Sequence, residues 1–267
     1  MIKETFESNI GESCIKAELK SGLKVYILEK PQYNSTYAIF GTKYGSIDTC
    51  FRVEGQDSFT EIPEGIAHFL EHKLFESEEL DAFQRYAKTG ASANAYTSFD
   101  RTCYLFNCTG HFKENFEILL DFVRHPYFTE ETVQKEQGII GQEIDMYKDL
   151  PDWVCLFNML GGMYHNHPVK IDIAGTTDSI AKIDHGLLYK CYNTFYNPSN
   201  MYICVVGNVD TQKVLAQIEK GIRKSDRIDI KRATFAESKK VKTPYVEQEF
   251  EVVQPIFCLG FKEVFQQ

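Results

Sequence analysis

The run Gly65 to Glu76 constrains this chain more than any other stretch, and at its centre stands His68-Phe-Leu-Glu71-His72. Apolar residues recur there at helical spacing, and Pro63 suits a first turn, so a helix is expected over 65–76. On a helix His68 and His72 share a face one turn apart, with Glu71 beside them. Two imidazoles at that spacing can hold one Zn²⁺, and the neighbouring carboxylate can take a proton from a water that the metal acidifies. The order H-x-x-E-H inverts the commoner H-E-x-x-H. Taken alone, the five residues also allow a plainer reading, an amphipathic helix whose histidines face a polar pocket.

A catalytic zinc takes three protein ligands and leaves one position open. Residues 129–148 read as a helix that opens at Thr129 with Glu130 and Glu131 in an acidic first turn. It carries Glu136 and Glu143, two turns apart and so on one face, which supplies the carboxylates the site lacks. Glu130, Glu131 and Asp145 read as a solvated face. His165 and His167 have no Cys or carboxylate at ligand spacing and read as loop residues. His111, His125 and His185 read as structural or surface groups, and Trp153 as a core residue on an apolar helical face.

With 267 residues, 43% of them apolar, the chain can bury a substantial core. No apolar run is long enough to span a bilayer, and the first residues carry no secretion signal, so a cytoplasmic protein without a membrane partner is expected. The eight cysteines are scattered without a C-x-x-C pair, as buried thiols in a reducing compartment would be. A net charge of −9 with no basic stripe argues against a nucleic-acid partner.

Strands are expected at 24–30 and 36–44 as an antiparallel pair, and at 92–98, 102–109 and 201–206. Helices are expected at 79–88, 112–124, 152–163 (ended by Gly161-Gly162), 179–195 and 211–223. The mixture lacks regular β-α-β alternation, so the fold class is α+β with a mostly antiparallel sheet packed against helices. Three segments follow: a metal-binding domain over 1–223, a charged linker over 224–244, and at 245–267 a strand pair around Gln254-Pro255 that starts a second, homologous domain.

In these motifs the chain resembles the pitrilysin/insulinase family of zinc metallopeptidases, which includes mitochondrial processing peptidases and compact bacterial members. The resemblance covers roughly residues 15–210. It rests on the inverted motif, on Glu136-x6-Glu143 further along, on Asn94-Ala95-Tyr96-Thr97 followed by Thr102-Cys103-Tyr104, and on Phe195 to Tyr202 leading into Val205-Val206-Gly207-Asn208. It implies His68, His72 and Glu143 as zinc ligands, one ion per chain, with Glu71 as general base and Glu136 as supporting carboxylate. It also implies one half of a duplicated clamshell, whose second half contributes an Arg/Tyr pair near the scissile bond.

The expected function is that of the N-terminal catalytic half of a zinc endopeptidase, acting on a peptide or small protein together with a second half or partner subunit. An extended substrate would add to the sheet edge at Asn94 and Ala95. The alternative is a non-catalytic partner subunit of a processing-peptidase-like complex. A purely structural zinc is disfavoured, since two His and one Glu leave a coordination position open.

Overall fold

The computed structural model describes residues 2–7, 9, 11–222 and 225–263. In chain order the strands are β1 (Ile2–Glu7), β2 (Ser13–Glu18), β3 (Lys24–Glu29), β4 (Thr36–Thr42), β5 (Cys50–Val53), β6 (Thr60–Glu61), β7 (Ser92–Thr97), β8 (Thr102–Cys108), β9 (Met201–Gly207) and β10 (Ile230–Arg232). The helices are α1 (Ile66–Leu74), α2 (Ala82–Ala87), α3 (Phe112–Phe122), α4 (Glu130–Lys148), α5 (Pro151–Met163), α6 (Thr177–Ile180), α7 (His185–Phe195) and α8 (Thr211–Gly221).

Seven strands form the main sheet in the order β1-β2-β3-β9-β4-β8-β7. Every neighbouring pair is antiparallel except β3 with β9. Along β9 the side chains alternate, with Met201, Ile203 and Val205 buried under the helices and the residues between them half-exposed. That period-two pattern is what one covered sheet face requires. The fold class is therefore α+β with a mostly antiparallel sheet, as the sequence pattern implied.

The strand pair expected from 24–30 and 36–44 does not form. β3 and β4 run in opposite directions, but β9 lies between them and bonds to both. Its entry is pinned by buried polar contacts: the Asn200 amide and the Thr42 hydroxyl both donate to the Phe195 carbonyl, at 2.9 and 2.7 Å. At its far end the Lys30 N–H donates to the Gly207 carbonyl at 2.7 Å. A β-branched run coming from far along the chain thus outcompetes the local hairpin.

The helix expected over 179–195 is broken into α6 and α7. The carbonyls of Ile180 and Ile183 accept from the Gln137 side chain at 3.3 and 2.9 Å, and Asp184 caps the new start at Leu187. Helix α5 runs through Gly161-Gly162 to Met163 instead of ending at them. Within the charged stretch 224–244, β10 pairs with β5, and the Arg232 guanidinium binds the buried Asp48 carboxylate. Residues 245–263 form no strand. They follow α5 through contacts such as Asn158 to Gln248 at 2.8 Å.

Helix α1 is buried nearly all round, with Phe69, Leu70 and Leu74 fully covered. Its N-cap is Gly65, at φ 90°, rather than the Pro63 turn expected from sequence. A Cβ at Gly65 would collide with the Ala174 carbonyl oxygen, so only glycine fits both the backbone angle and the close approach. Gly65→Ala should therefore cost about 1–3 kcal/mol of stability, read as a lower urea midpoint at unchanged slope.

Candidate metal centre

Because α1 is embedded, its two histidines are held rather than free to swing. The His68 and His72 rings lie 4.6 Å apart, centroid to centroid, and His68 is 8% exposed. Helix α4 packs against α1 with Ile140 and Ile144 on its buried side, and its Glu136 and Glu143 carboxylates reach the imidazoles. Glu136 accepts a hydrogen bond from His72 Nδ1 at 2.8 Å. That contact fixes the tautomer and leaves Nε2 as the free lone pair. Glu143 reaches both rings, with Oε1 3.7 Å from His68 Nε2 and Oε2 3.4 Å from His72 Nε2.

One donor atom from each of His68, His72 and Glu143 lies within 4.8 Å of the others. Two ring nitrogens and one carboxylate oxygen converging at that spacing suit Zn²⁺, with room left for a further ligand. Burial, and then the charge of His72, pull the His68 pKa down to about 3, so its ring is neutral and able to donate a lone pair. Burial also pulls on His72, but the hydrogen bond and charge of Glu136 outweigh it and hold that ring above the usual histidine value. The expected ligand trio and its supporting carboxylate are thus brought together.

Glu71 is half-buried beside them. Burial raises its carboxyl above the ordinary range, against the pull of the Thr97 hydroxyl, which donates to Oε2 at 2.6 Å. A carboxyl shifted toward neutrality is better suited to exchange protons at neutral pH. Thr97 is the last residue of β7, the free edge of the main sheet. Ala95, two residues before it, lines the cavity of about 280 Å³ at the histidines, and Asn94 does not. The Asn94 side chain turns back to accept from the Ala95 N–H at 2.8 Å.

Sequence reasoning missed the far wall of this cavity. The Tyr147 hydroxyl donates to Glu143 Oε1 at 2.9 Å, and its ring stacks on Trp153 with centroids 4.8 Å apart. Burial, and then Glu143, push the Tyr147 hydroxyl up to about 12. Trp153 was expected in the core, but it is half-buried and faces the cavity, with its indole N–H on Asp172. Tyr147 stands four residues after Glu143, one turn along the same face, and that spacing is the signal that could have found it. His165 and His167 keep their loop role, since their backbone N–H groups bind the Glu237 carboxylate.

Residues 58–177 match the family described as Insulinase (Peptidase family M16), and residues 182–267 match Peptidase M16 inactive domain. An uncharacterized zinc protease of Bacillus subtilis, YmfH, is 48% identical over 265 residues, which is 98% of this chain and 62% of that protein. A crystal structure of an M16-like peptidase from Alicyclobacillus acidocaldarius superposes with a TM-score of 0.82 at 42% identity, covering 91% of this chain and 56% of that one. Pitrilysin shares the fold, with a TM-score of 0.69 at 15% identity over 84% of this chain and 25% of its own. The chain thus spans less than two thirds of the length of these relatives.

A zinc ion bound here must displace the Nε2 proton of the cationic His72 ring, while Nδ1–H stays on Glu136. Because Glu136 raises that pKa, the proton competes at and somewhat above the ordinary histidine range, and zinc affinity should climb with pH until the ring is neutral. Below that point affinity should fall by about tenfold per pH unit for one competing proton. Competition titrations against a chromophoric chelator between pH 5.5 and 8.5 measure this, and a flat profile would contradict it.

Proposed function

Since the chain belongs to the insulinase family of peptidases, family M16, we propose that it is the metal-bearing half of a zinc-dependent endopeptidase, with Glu71 as general base. The observation that carries this reading is the convergence of the His68, His72 and Glu143 donors beside a half-buried, upshifted carboxyl. All of these groups, and Glu136, fall within the match over 58–177, and the inactive-domain match begins beyond them. For that reason the peptidase reading is preferred to a non-catalytic partner subunit.

Bound zinc would supply Lewis acidity, polarising a peptide carbonyl and making water a stronger acid. Glu71 takes the proton from the attacking water and returns it to the leaving amine nitrogen. Thr97 holds Glu71 Oε2, so Oε1 is the oxygen presented for both transfers. Glu136 keeps His72 in the tautomer that leaves Nε2 free. An extended peptide pairs with the open edge of β7, where the Ala95 N–H exchanges the Asn94 side chain for a substrate carbonyl.

In this reading residues 1–223 form the metal-binding domain, 224–244 the linker and 245–267 the start of a homologous second domain. That domain, or a partner subunit, closes over the cavity. The matched relatives, longer than this chain, are consistent with such a second half.

Glu71→Gln keeps the side-chain shape and removes the base. It should leave zinc stoichiometry unchanged by elemental analysis while lowering cleavage of a quenched fluorescent peptide by about 10²–10⁴-fold, assayed with the second half present. Undiminished cleavage, or lost zinc, would refute Glu71 as a base that does not bind the metal.

A further inference from the structure

On an isolated helix the Glu143 carboxylate, two turns beyond Glu136, would sample several rotamers. Here its Oε1 is held by the Tyr147 hydroxyl at 2.9 Å, one helical turn further along. The ring of Tyr147 is itself fixed, stacked on Trp153 at an interplanar angle of 20°. Trp153 is fixed in turn by its indole N–H on Asp172 Oδ2. The other oxygen of Asp172 accepts from the Ala174 N–H at 2.9 Å, and its carbonyl from the Gly175 N–H at 2.9 Å, which closes a tight turn.

That turn is the surface on which α1 begins. Gly65 sits against the Ala174 carbonyl and Gly175 against the Glu64 carbonyl, each too close to admit a Cβ. The contacts therefore form a closed circuit, from Glu143 through Tyr147, Trp153, Asp172 and the 172–175 turn to the helix that carries His68 and His72. Packing of α4 on α1 sets the distance between the helices, and this circuit sets where the carboxylate points.

We propose that Tyr147 is a positioning residue for the metal centre, which holds one oxygen of Glu143 so that the other is presented to the ion, and that Trp153 and Asp172 hold Tyr147 in place for this task. The proposal rests on the zinc reading of His68, His72 and Glu143. Hydrogen-bond partners of metal ligands commonly change metal affinity by about 10–100-fold when removed. In the metal-free protein the same hydroxyl only exchanges one hydrogen bond for water, so its loss should leave the fold intact. The chain's single Trp lies in the circuit, so its fluorescence reports ordering of the wall when metal enters.

The test measures zinc affinity by chelator competition, the zinc-induced change in Trp153 fluorescence, and the thermal midpoint of the metal-free protein. It compares the wild type with Tyr147→Phe, Asp172→Asn and Glu143→Ala. Tyr147→Phe keeps the stacked ring, and should weaken zinc binding about 10–100-fold at an unchanged metal-free midpoint. Asp172→Asn presents an amide to the indole N–H while its remaining oxygen can still cap the turn. It should weaken binding in the same direction by less, and the double variant should be no weaker than Tyr147→Phe alone, as for two groups on one path.

Zinc affinity within twofold of wild type in Tyr147→Phe overturns the proposal, and the metal reading stands if Glu143→Ala has lost the ion. A lower metal-free midpoint with unchanged affinity marks the contact as packing and overturns it as well. A wild type that takes up no zinc removes both the proposal and the reading on which it rests.

Discussion

The hydrogen bond between His72 and Glu136 is the contact on which the site depends. It crosses from α1 to α4, it is largely shielded from water, and it joins a group that can be cationic to one that is anionic. A buried carboxylate without such a partner would be costly, so Glu136 at 7% exposure favours this one relative placement of the helices. Once α4 lies there, Glu143, two turns further on, arrives beside both imidazoles through helical geometry alone. The same bond directs the His72 ring, leaving Nε2 as its free donor.

Around this pair the fold is arranged to hold still. Helix α1 is covered by apolar side chains on nearly every side, an expensive place for two imidazoles and a carboxyl unless each has a use or a partner. His72 has Glu136 and Glu71 has Thr97, and His68 has one ring nitrogen toward Glu143 and the other buried with no hydrogen-bond partner among the described residues. The sheet contributes its open edge at β7, so the strand that supplies Thr97 is also the strand to which an extended chain could add. The Glu71 carboxyl, the His68, His72 and Glu143 side chains and the backbone end of β7 thereby line one small cavity.

The matches to family M16 divide the chain in two, over 58–177 and 182–267. Every group at the site falls in the first matched block, and the fold is one half of a duplicated architecture. The 245–263 segment, apolar and largely exposed at Phe257, Leu259 and Phe261, lies along α5 and forms no strand pairing among the described residues.

Local pattern encodes the elements that carry the site residues: α1 with its histidines, α4 with its carboxylates, and the β7-β8 hairpin. Each is encoded by local periodicity and by residues three, four or seven apart, which share a face on any helix. What depends on partners distant in the chain was set by packing. It placed β9 between β3 and β4, broke 179–195 where Gln137 takes two carbonyls, and drew β10 out of a charged stretch onto β5. It also turned Trp153 from an expected core residue into a cavity wall, because its partners, Tyr147 and Asp172, come from other elements. Periodicity tells which face of an element is apolar, but the choice among apolar neighbours is made by burial and hydrogen bonds that no local stretch contains.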